Sequence, residues 1–355
     1  MKVSVVRPDE LGSEELASWR TMQRSNSALE SPFLSPTFTL AAGRVRPTTR
    51  VAVLEEGRDI AGFFPFDRAR FRVGRAIAPG VSDRQAIVHA PGFEWNAREL
   101  LRGCQLDVWE FGHLIREQLP SAGQHVSTHN SPIIDMPHGY DSYVAERQRT
   151  SKKIFRSTFS KLRKLEHDVG ATCLEFDAHD PDALGLLTRW KSVQYRRTGH
   201  RDRFSVGWIA QLVRDLFETR TDSCSGTLSA LRSGNRLAAV HFGLRSESAL
   251  SCWFPAYDVT LARYSPGLAL HLLMAEAAAA AGIRYLDLGK GDEEYKLSLK
   301  NGDLIVGEGW IDRPSAVAVA RRVQQAPRRF VVSHPPARRA VRSVLKQISN
   351  VRGAG

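Results

Sequence analysis

The stretch Arg236-Leu-Ala-Ala-Val-His-Phe-Gly-Leu-Arg245, followed by Leu250-Ser-Cys-Trp-Phe-Pro-Ala-Tyr-Asp258, decides the fold of this chain. Both runs are apolar and rich in residues that favour β-structure, and polar residues separate them. This pattern is typical of an antiparallel strand pair. Pro255 has no N–H to donate to a neighbouring strand, so we expect the second strand to bulge or splay there.

A helix and a third strand are predicted next. Residues 268–282 are rich in Leu and Ala and end in a glycine that fits the C′ position of a helix. Ser265 is expected to cap the first free N–H groups, and Pro266 suits the first helical position. Residues 284–288 then predict a short buried strand that leads into the loop 289–296.

The loop before this helix is a predicted anion site. A helix N-terminus offers unpaired N–H donors and a partial positive charge. Gly267 lets the backbone come close to a ligand, and Arg263 adds a full positive charge. A diphosphate would fit such a site.

The order of these predicted elements and the residues within them resemble the GNAT acyltransferase superfamily. In that superfamily a bulged strand, a phosphate-binding loop and a helix hold acyl-CoA. A closer resemblance is to the CelD-type proteins, named after cellulose biosynthesis and related to the Fem-type aminoacyl transferases. It is strongest over residues 225–311 and fainter from residue 130 onward. The phosphate loop departs from the glycine-rich loop of ordinary members. The motifs that carry the resemblance are His241, Tyr257-Asp258, Tyr264-Ser-Pro-Gly267, Asp287-Leu-Gly289 and Gly291-Asp-Glu-Glu-Tyr-Lys296.

This resemblance implies acetyl-CoA, or another acyl-CoA, as co-substrate and assigns residues to its two sides. The residues implied on the acyl-CoA side are Arg263, Tyr264, Ser265, Pro266 and Gly267. Those implied on the acceptor side are Tyr195, Arg196, Tyr257, Asp287 and Tyr295.

Three residues are candidates for catalysis. Acyl transfer needs a base near the acceptor, and the ordinary pKa of His241, about 6.5, suits that role, although a structural histidine is the alternative. Asp258 is a second candidate base, or it begins an Asp258-Val-Thr turn. Lys296 is predicted on a helix opened by Asp292, where it is either solvated or, by analogy with the Fem-type relatives, assists the reaction electrostatically.

Length and composition indicate a protein of two globular domains. The chain has 355 residues, of which 42% are hydrophobic and 25% charged. No apolar run approaches the roughly 18 residues of a membrane span, and no signal peptide is recognisable, so we expect the cytoplasm, with the inner face of the membrane as an alternative. The four cysteines are scattered, which favours reduced thiols, and no metal-binding motif stands out, so no metal is expected.

Positive charge is concentrated at the C-terminal end. Of the net charge of +12, ten basic residues without any acid lie between Arg313 and Gly355, so the rest of the chain carries only +2. Residues 313–355 are therefore predicted to form a basic extension. It is either solvated or binds an anionic partner, namely a membrane surface, an acidic polymer or RNA.

An internal repeat supports a duplicated fold. The predicted hairpin 51–66 turns near Gly57, and residues 228–242 align with it without gaps, placing Gly234 on Gly57 at an offset of 177 residues. A chance match between two hairpins is the alternative. The fold class expected is α/β (α+β), with tandem GNAT-like domains, each a mixed, mostly antiparallel sheet flanked by helices.

Residues 1–148 are expected to form a degenerate domain that walls the substrate groove, because no equivalent of the phosphate loop and helix is found there. Residues 149–312 are expected to bind acyl-CoA and to carry catalysis. At the start of this second half, residues 149–167 predict an amphipathic helix, which either packs on the core as a linker or forms a basic rim on an anionic substrate channel. A further helix is predicted over residues 182–197.

The expected function is transfer of an acyl group, acetyl first, from CoA to an amine or hydroxyl acceptor. By resemblance, the acceptor is a small molecule or saccharide of exopolysaccharide or envelope assembly. One alternative is a Fem-like transferase that uses charged tRNA, with the basic helix and extension binding the RNA. Another is a non-catalytic partner in a polysaccharide synthesis complex.

Overall fold

A computed structural model describes residues 1–120 and 126–320. In these ranges the chain forms one mixed sheet of 14 strands flanked by helices. The strands are β1 (Lys2–Val6), β2 (Thr49–Glu56), β3 (Asp59–Ala69), β4 (Val73–Arg75), β5 (Val88–His89), β6 (Val108–Ile115), β7 (Val126–Asp135), β8 (Thr172–Glu175), β9 (Arg220–Thr221), β10 (Cys224–Ser233), β11 (Arg236–Arg245), β12 (Ala249–Tyr257), β13 (Tyr285–Asp287) and β14 (Gly302–Asp312).

The helices lie on both faces of this sheet. They are α1 (Ser13–Arg24), α2 (Pro36–Val45), α3 (Ala97–Gly103), α4 (Tyr140–Thr150), α5 (Lys152–Val169), α6 (Pro181–Arg197), α7 (Gly207–Phe217), α8 (Pro266–Ala280) and α9 (Glu294–Leu299). A 3₁₀ segment, Val259–Tyr264, links β12 to α8. Among the helices of the described ranges, none combines the length and apolar character that a bilayer crossing requires.

The two halves exchange strands within the sheet. The strand order is β1-β2-β3-β4-β6-β14-β7-β13-β12-β11-β10-β8, with β5 beside β3 and β9 beside β10. Thus β7, from the first half, lies between β13 and β14, while β14, from the second half, pairs with β6. Helix α4 also spans the expected boundary at residues 148 and 149. The halves therefore share one sheet.

The repeated hairpins have the same backbone irregularity. The pair β2–β3 turns at Gly57, with φ of 66°, and β10–β11 turns at Gly234, with φ of 55°. In each pair the register shifts by one residue, which leaves Ala61 and Ala238 as the extra residues. These alanines are again 177 positions apart. A shared bulge at the same offset supports duplication over a chance match of two hairpins.

The predicted strand pair and helix are confirmed, with two corrections. The pair β11–β12 is antiparallel, and α8 begins at Pro266 and is followed by Gly282 with φ of 81°. The bulge, however, lies at Cys252–Trp253 opposite Gly243, and Pro255 sits in regular register. Beside this bulge only glycine fits at position 243, because a Cβ there would lie 2.4 Å from the Ser251 carbonyl oxygen.

The predicted capping role of Ser265 is wrong. Its backbone is left-handed, with φ of 52° and ψ of 49°, and its hydroxyl makes no capping bond within the described chain. Instead, Ser265 Oγ accepts a hydrogen bond from Lys161 Nζ of α5 at 3.0 Å. The carbonyl of Ser265 accepts from the N–H groups of Leu268 and Ala269, which closes the first helical turn.

Apolar side chains cover both faces of the second-half sheet. On one face α6 and α7 pack against Val240, Phe242 and Phe254. On the other, α5 and α8 pack against Ala239 and Leu250. The four cysteines are all free, which confirms that expectation.

The start of the predicted basic extension packs on the body. Arg313 pairs with Asp107 at 2.6 Å and donates to the Leu106 carbonyl, and Ala318 is buried. Residues 321–355, which hold most of the predicted extension, lie outside the described residues.

Buried polar bonds connect the first half to β12 and β13. Arg84 Nη2 donates to Asp287 Oδ2 at 2.9 Å, and both side chains are almost fully buried. Ser131 Oγ donates to the other carboxylate oxygen at 2.8 Å. Trp253 Nε1 donates to the Val81 carbonyl at 2.7 Å.

Replacement of Arg84 should test how strongly this contact holds the fold. Arg84→Ala leaves the Asp287 carboxylate buried without its cation, so we expect a loss of about 3 to 5 kcal/mol in the free energy of unfolding. Arg7→Ala, which breaks an exposed pair with Asp9, is the control and should cost no more than about 1 kcal/mol. Chemical denaturation of both variants measures the difference, and equal losses would contradict the assigned role of Arg84.

Candidate functional site

Strands β12 and β13 pair over only three residues, and the end of this pairing is called here the opening between β12 and β13. They pair in parallel only over Ala249–Ser251 and Tyr285–Asp287, and β12 then continues to Tyr257 without β13 beside it. The 3₁₀ segment and the N-terminus of α8 follow at the open end. A Cβ at Gly267 would lie 3.3 Å from the Tyr257 ring, so the first turn of α8 and the end of β12 are in close contact.

Among the predicted acyl-CoA residues, Arg263 offers the accessible charge. Its side chain is 71% exposed, lies over the Tyr264 ring at 4.6 Å, and is 3.7 Å from Asp168. Tyr264 itself is buried, and its hydroxyl donates to Asp168 at 2.8 Å. Tyr264 therefore holds the loop, while Arg263 is placed to meet an anion.

Helix α5 adds positive charge beside the same loop. Phe155 and Leu165 are buried, so the helix packs on the core as the linker interpretation predicted. Its other side carries six cations that make no ion pair with any described residue. This α5 stripe consists of Lys152, Lys153, Arg156, Lys161, Arg163 and Lys164. Because Lys161 reaches Ser265 beside α8, the geometry also fits the basic-rim interpretation.

His241 lies beside a second histidine that the sequence interpretation missed. His241 of β11 and His271 of α8 are 0% and 3% exposed, and their ring centroids are 6.1 Å apart. His271 Nδ1 lies 2.7 Å from the carbonyl oxygen of Gly267. Its Nε2, and both nitrogens of His241, have no hydrogen-bond partner within residues 1–120 and 126–320. The sequence signal for His271 is weak: one histidine within an otherwise Leu- and Ala-rich helix.

Burial and nearby cations keep both imidazoles neutral. Burial lowers the pKa of His241 well below 6.5, and the charges of His271 and Lys191 act in the same direction. Burial also lowers the pKa of His271, against the bond to Gly267, and Lys296 and Lys191 lower it further. The pKa of Lys191 falls to about 8 through burial and through the charges of Arg203 and Lys296. His241 is therefore an unprotonated imidazole at neutral pH, with a pKa below the ordinary value that its sequence suggested.

Asp258 forms a turn, which is the predicted alternative to a role as base. Its Oδ1 accepts from the Thr260 N–H at 2.9 Å and from the Thr260 hydroxyl, and its Oδ2 accepts from Arg236 at 2.7 Å. Burial raises its pKa, but these hydrogen bonds outweigh burial and the pKa is lowered. A carboxylate held in this way caps the 3₁₀ segment and is a poor base.

Lys296 and Asp287 hold the loop that follows β13. Lys296 is buried, and its Nζ donates to the carbonyls of Gly289 and Lys290 at 3.1 and 3.2 Å and pairs with Glu293 at 3.0 Å. It is therefore not a solvated lysine. Asp287, for which the sequence predicts a substrate-binding role, accepts hydrogen bonds from Arg84, Ser131 and the Gly289 N–H.

The remaining residues predicted on the acceptor side lie in two regions, one near α8 and Lys191 and the other in a cleft between α6 and α7. Tyr195 lies 5.3 Å from Lys191 Nζ, and Tyr295 lies 5.4 Å from the His271 ring. Arg196, in contrast, lines a cleft of about 1130 Å³ between α6 and α7. The structure thus brings Tyr257, Tyr295 and His241 around α8 and leaves Arg196 on the cleft.

Asp83 is a residue of the first half that sequence analysis did not single out. Burial, followed by the charge of Asp287, raises its pKa to about 6, although Arg203, Lys296 and Arg84 oppose the shift. It lies near Gly289, whose Cβ position would be 3.7 Å from Asp83 Oδ2. The first half therefore contributes a titratable carboxylate beside the loop after β13.

Comparison with known families gives one match over the second half. Residues 152–297 match the family described as an acetyltransferase (GNAT) domain. This matched stretch is GNAT-like. It contains the α5 stripe, both histidines and the N-terminus of α8. No curated protein sequence matches the chain significantly.

Solved structures share the fold at low sequence identity. FemX is 10% identical with a TM-score of 0.58, over 92% of this chain and 100% of that chain. The C-terminal domain of a putative lysylphosphatidylglycerol synthetase from Agrobacterium fabrum is 14% identical with a TM-score of 0.51, over 88% and 95%. A tandem GNAT protein from the clavulanic acid biosynthesis pathway is 12% identical with a TM-score of 0.47, over 88% and 100%. The expected fold class, a mixed sheet flanked by helices in a GNAT-like arrangement, is confirmed.

Substitutions in the loop before α8 should weaken acetyl-CoA binding. Gly267→Val would press against Tyr257 and block backbone approach, so we expect at least a tenfold loss of affinity. Arg263→Ala and Lys161→Ala should each cost about 1 kcal/mol, roughly fivefold, because both cations are partly solvated. Calorimetry measures the affinities, with the exposed Arg58→Ala in the β2–β3 turn as control. If Gly267→Val and Arg263→Ala bind acetyl-CoA like the control, the anion site does not lie at the N-terminus of α8.

Proposed function

We propose that this protein transfers an acyl group, acetyl first, from acyl-CoA to a small-molecule or saccharide acceptor that carries a hydroxyl or amine. The opening between β12 and β13 is the observation that carries this proposal. A thioester inserted there would have the N-terminus of α8 at its diphosphate and the His241–His271 pair nearby. The match of residues 152–297 to a GNAT domain supports it.

The donor side uses charge and backbone together. Arg263 and Lys161 face the loop before α8, and Gly267 lets a phosphate approach the first helical turn. Pro266 lacks an N–H, and the N–H groups of Leu268 and Ala269 donate to Ser265, which leaves the Gly267 N–H as the first-turn donor for a phosphate.

The acceptor side uses the neutral imidazoles. One of them takes the proton of the acceptor as the acceptor attacks the thioester carbonyl. Tyr195 and Lys191 would line the path of the acceptor, and Tyr295 stands at the outer edge of the pair. The position of the site within the CelD-type motifs supports a role in exopolysaccharide or envelope assembly. An anionic membrane surface is the partner proposed for the basic residues beyond Arg313.

A second candidate is aminoacyl transfer from charged tRNA. The α5 stripe favours it, because six unpaired cations along an 18-residue helix exceed what one diphosphate needs. The similarity in fold to FemX agrees with the Fem-type resemblance. Saturable acetyl-CoA binding would favour the first proposal, and tRNA-dependent turnover would favour the second. The absence of both would favour a non-catalytic partner.

Removal of His241 should abolish most turnover and leave donor binding intact. His241→Ala should lose roughly 10²- to 10⁴-fold in turnover, as a positioned base or its hydrogen-bonding partner does, with acetyl-CoA affinity little changed. Release of free CoA thiol measures turnover, and calorimetry measures affinity. Asp258→Asn is the matched comparison and should cost far less, because Asp258 caps a turn. Turnover of His241→Ala within a few-fold of wild type would return this histidine to a structural role.

The pH dependence of turnover should follow the lowered imidazole pKa values. A base of lowered pKa stays deprotonated until the pH falls through that value, so activity should persist as the pH falls below 6.5. The measurement is kcat/KM between roughly pH 4.5 and 8.5, which spans the titration of histidine. An acid limb centred near 6.5 would contradict the assignment of the buried pair as the base.

A further inference from the structure

We infer that the acceptor in the proposed acyl transfer is a hydroxyl group that binds between the imidazole rings of His241 and His271. The inference rests on the proposed function and narrows its acceptor from an amine or a hydroxyl to a hydroxyl. It begins with the hydrogen-bonding state of the two rings, which are buried against each other between β11 and α8.

The tautomer of His271 is fixed by the backbone. Its Nδ1 lies 2.7 Å from the Gly267 carbonyl oxygen, and a carbonyl only accepts, so Nδ1 carries the proton. Nε2 of the same ring is therefore a lone-pair acceptor, and no described residue donates to it. The loop that is proposed to hold the donor phosphate thus also sets the hydrogen-bonding state of the acceptor site.

His241 supplies the complementary group. A neutral imidazole has one N–H and one lone-pair nitrogen, and neither nitrogen of His241 is paired in the described part of the chain. The ring centroids are 6.1 Å apart, so both rings are close enough for one small group to contact both. One hydroxyl can accept from His241 and donate to His271. Leaving such buried groups unpaired is costly, so a ligand that pairs both is favoured.

An ammonium group does not meet these requirements. An ammonium ion has three donors and no acceptor, so it cannot satisfy the N–H of His241. A neutral amine has a single lone pair, which cannot both accept from His241 and attack the thioester carbonyl, whereas a hydroxyl oxygen has two lone pairs. Positive groups also face the pair: Lys191 from α6 and Lys296 from α9 both act on His271, and Lys191 acts on His241. Glu293 pairs with Lys296 at 3.0 Å and weakens its field, but no carboxylate of the described residues is among the groups that shift the pKa of either ring. A cation at this position would be repelled.

The surrounding neutral groups do not change this picture. Tyr295 of α9 lies 5.4 Å from His271, and burial raises the pKa of its phenol, so it stays uncharged. Burial, and then the charge of Asp287, raises the pKa of the Cys252 thiol on β12. Cys252 is therefore not a thiolate nucleophile, and direct attack by the acceptor is favoured over an acyl-cysteine route.

The step follows from this arrangement. The acceptor oxygen forms a C–O bond to the thioester carbonyl carbon while its proton passes to His271 Nε2. The C–S bond then breaks, the electron pair leaves on the CoA sulfur, and the imidazolium returns its proton to that sulfur. The products are an ester and free CoA thiol, with no change of redox state. Bonding of the forming imidazolium to the Gly267 carbonyl through Nδ1–H stabilises it.

Methanol and methylammonium are a matched pair of probes for this site, since they differ mainly in charge and in acceptor capacity. The full chain, labelled with ¹⁵N-histidine and saturated with acetyl-CoA, is titrated with each probe at pH 7 and equal ionic strength. We expect methanol to shift the Nε2 resonance of His271 and a resonance of His241, and methylammonium chloride to leave both unchanged. His241→Gln and His271→Gln assign the resonances. Equal or larger shifts with methylammonium, or a protonated His271 at pH 7, would overturn the inference.

Product analysis gives an independent answer. Glucosamine offers hydroxyls and an amine on one molecule, and hydroxylamine cleaves an ester but not an amide. With acetyl-CoA we expect a hydroxylamine-sensitive acetyl-glucosamine by mass spectrometry. A stable amide would overturn the hydroxyl inference and leave acyl transfer standing, whereas failure of the protein to bind acetyl-CoA would overturn the proposed function itself. If glucosamine is not acetylated, the titration with the two small probes decides.

Discussion

A single buried carboxylate holds together the parts of this molecule that make the site. Asp287 ends β13 and accepts hydrogen bonds from Arg84, Ser131 and the Gly289 N–H. Arg84 and Ser131 come from the first half and Gly289 from the loop that follows. A charge this deeply buried is stable only with its donors in place. The contacts of Asp287 therefore fix the short strand β13 against the first half, whereas β13 pairs with only part of β12. The pairing of β13 with β12 ends at Asp287, opposite Ser251.

The electrostatics of the site follow from the same architecture. Burial removes water from the two histidines, and the cations Lys191 and Lys296 reach them from α6 and α9. The outer surface beside α8 is also cationic, through Arg263 and the α5 stripe. The molecule therefore attracts an anionic donor at its rim and disfavours a charged acceptor within. Both properties come from side chains on α5, α6, α9 and the 3₁₀ segment.

Local signals in the sequence were sufficient for the elements but not for the site. Pro266 and Gly282 mark the ends of α8 because both act through their own backbone, and the repeat at Gly57 and Gly234 marks two hairpins for the same reason. The bulge was placed wrongly at Pro255 because its position depends on the contact between Gly243 and the backbone of β12, which only the folded sheet shows.

Residues of the site were harder to predict where their partners are distant. Arg84 meets Asp287 across 203 positions, so the substrate role expected for Asp287 could not be weighed against a structural one. Ser265 has the residue type of a cap, but its left-handed backbone turns the hydroxyl toward Lys161. His241 was found from its strand and its family motif. His271 was not, because one histidine in an apolar helix has no local signal.

The exchange of β7 and β14 has a consequence for how the chain acquires its structure. The stretch that matches the GNAT domain, residues 152–297, lacks both strands, so a fragment limited to it would leave β13 with an open edge. Strand β6 meets β14 only after almost 200 intervening residues have been synthesised. Such long-range pairing slows folding and delays completion of the sheet until β14 has been synthesised. Until then the edges of β6 and β7 that β14 covers remain unpaired.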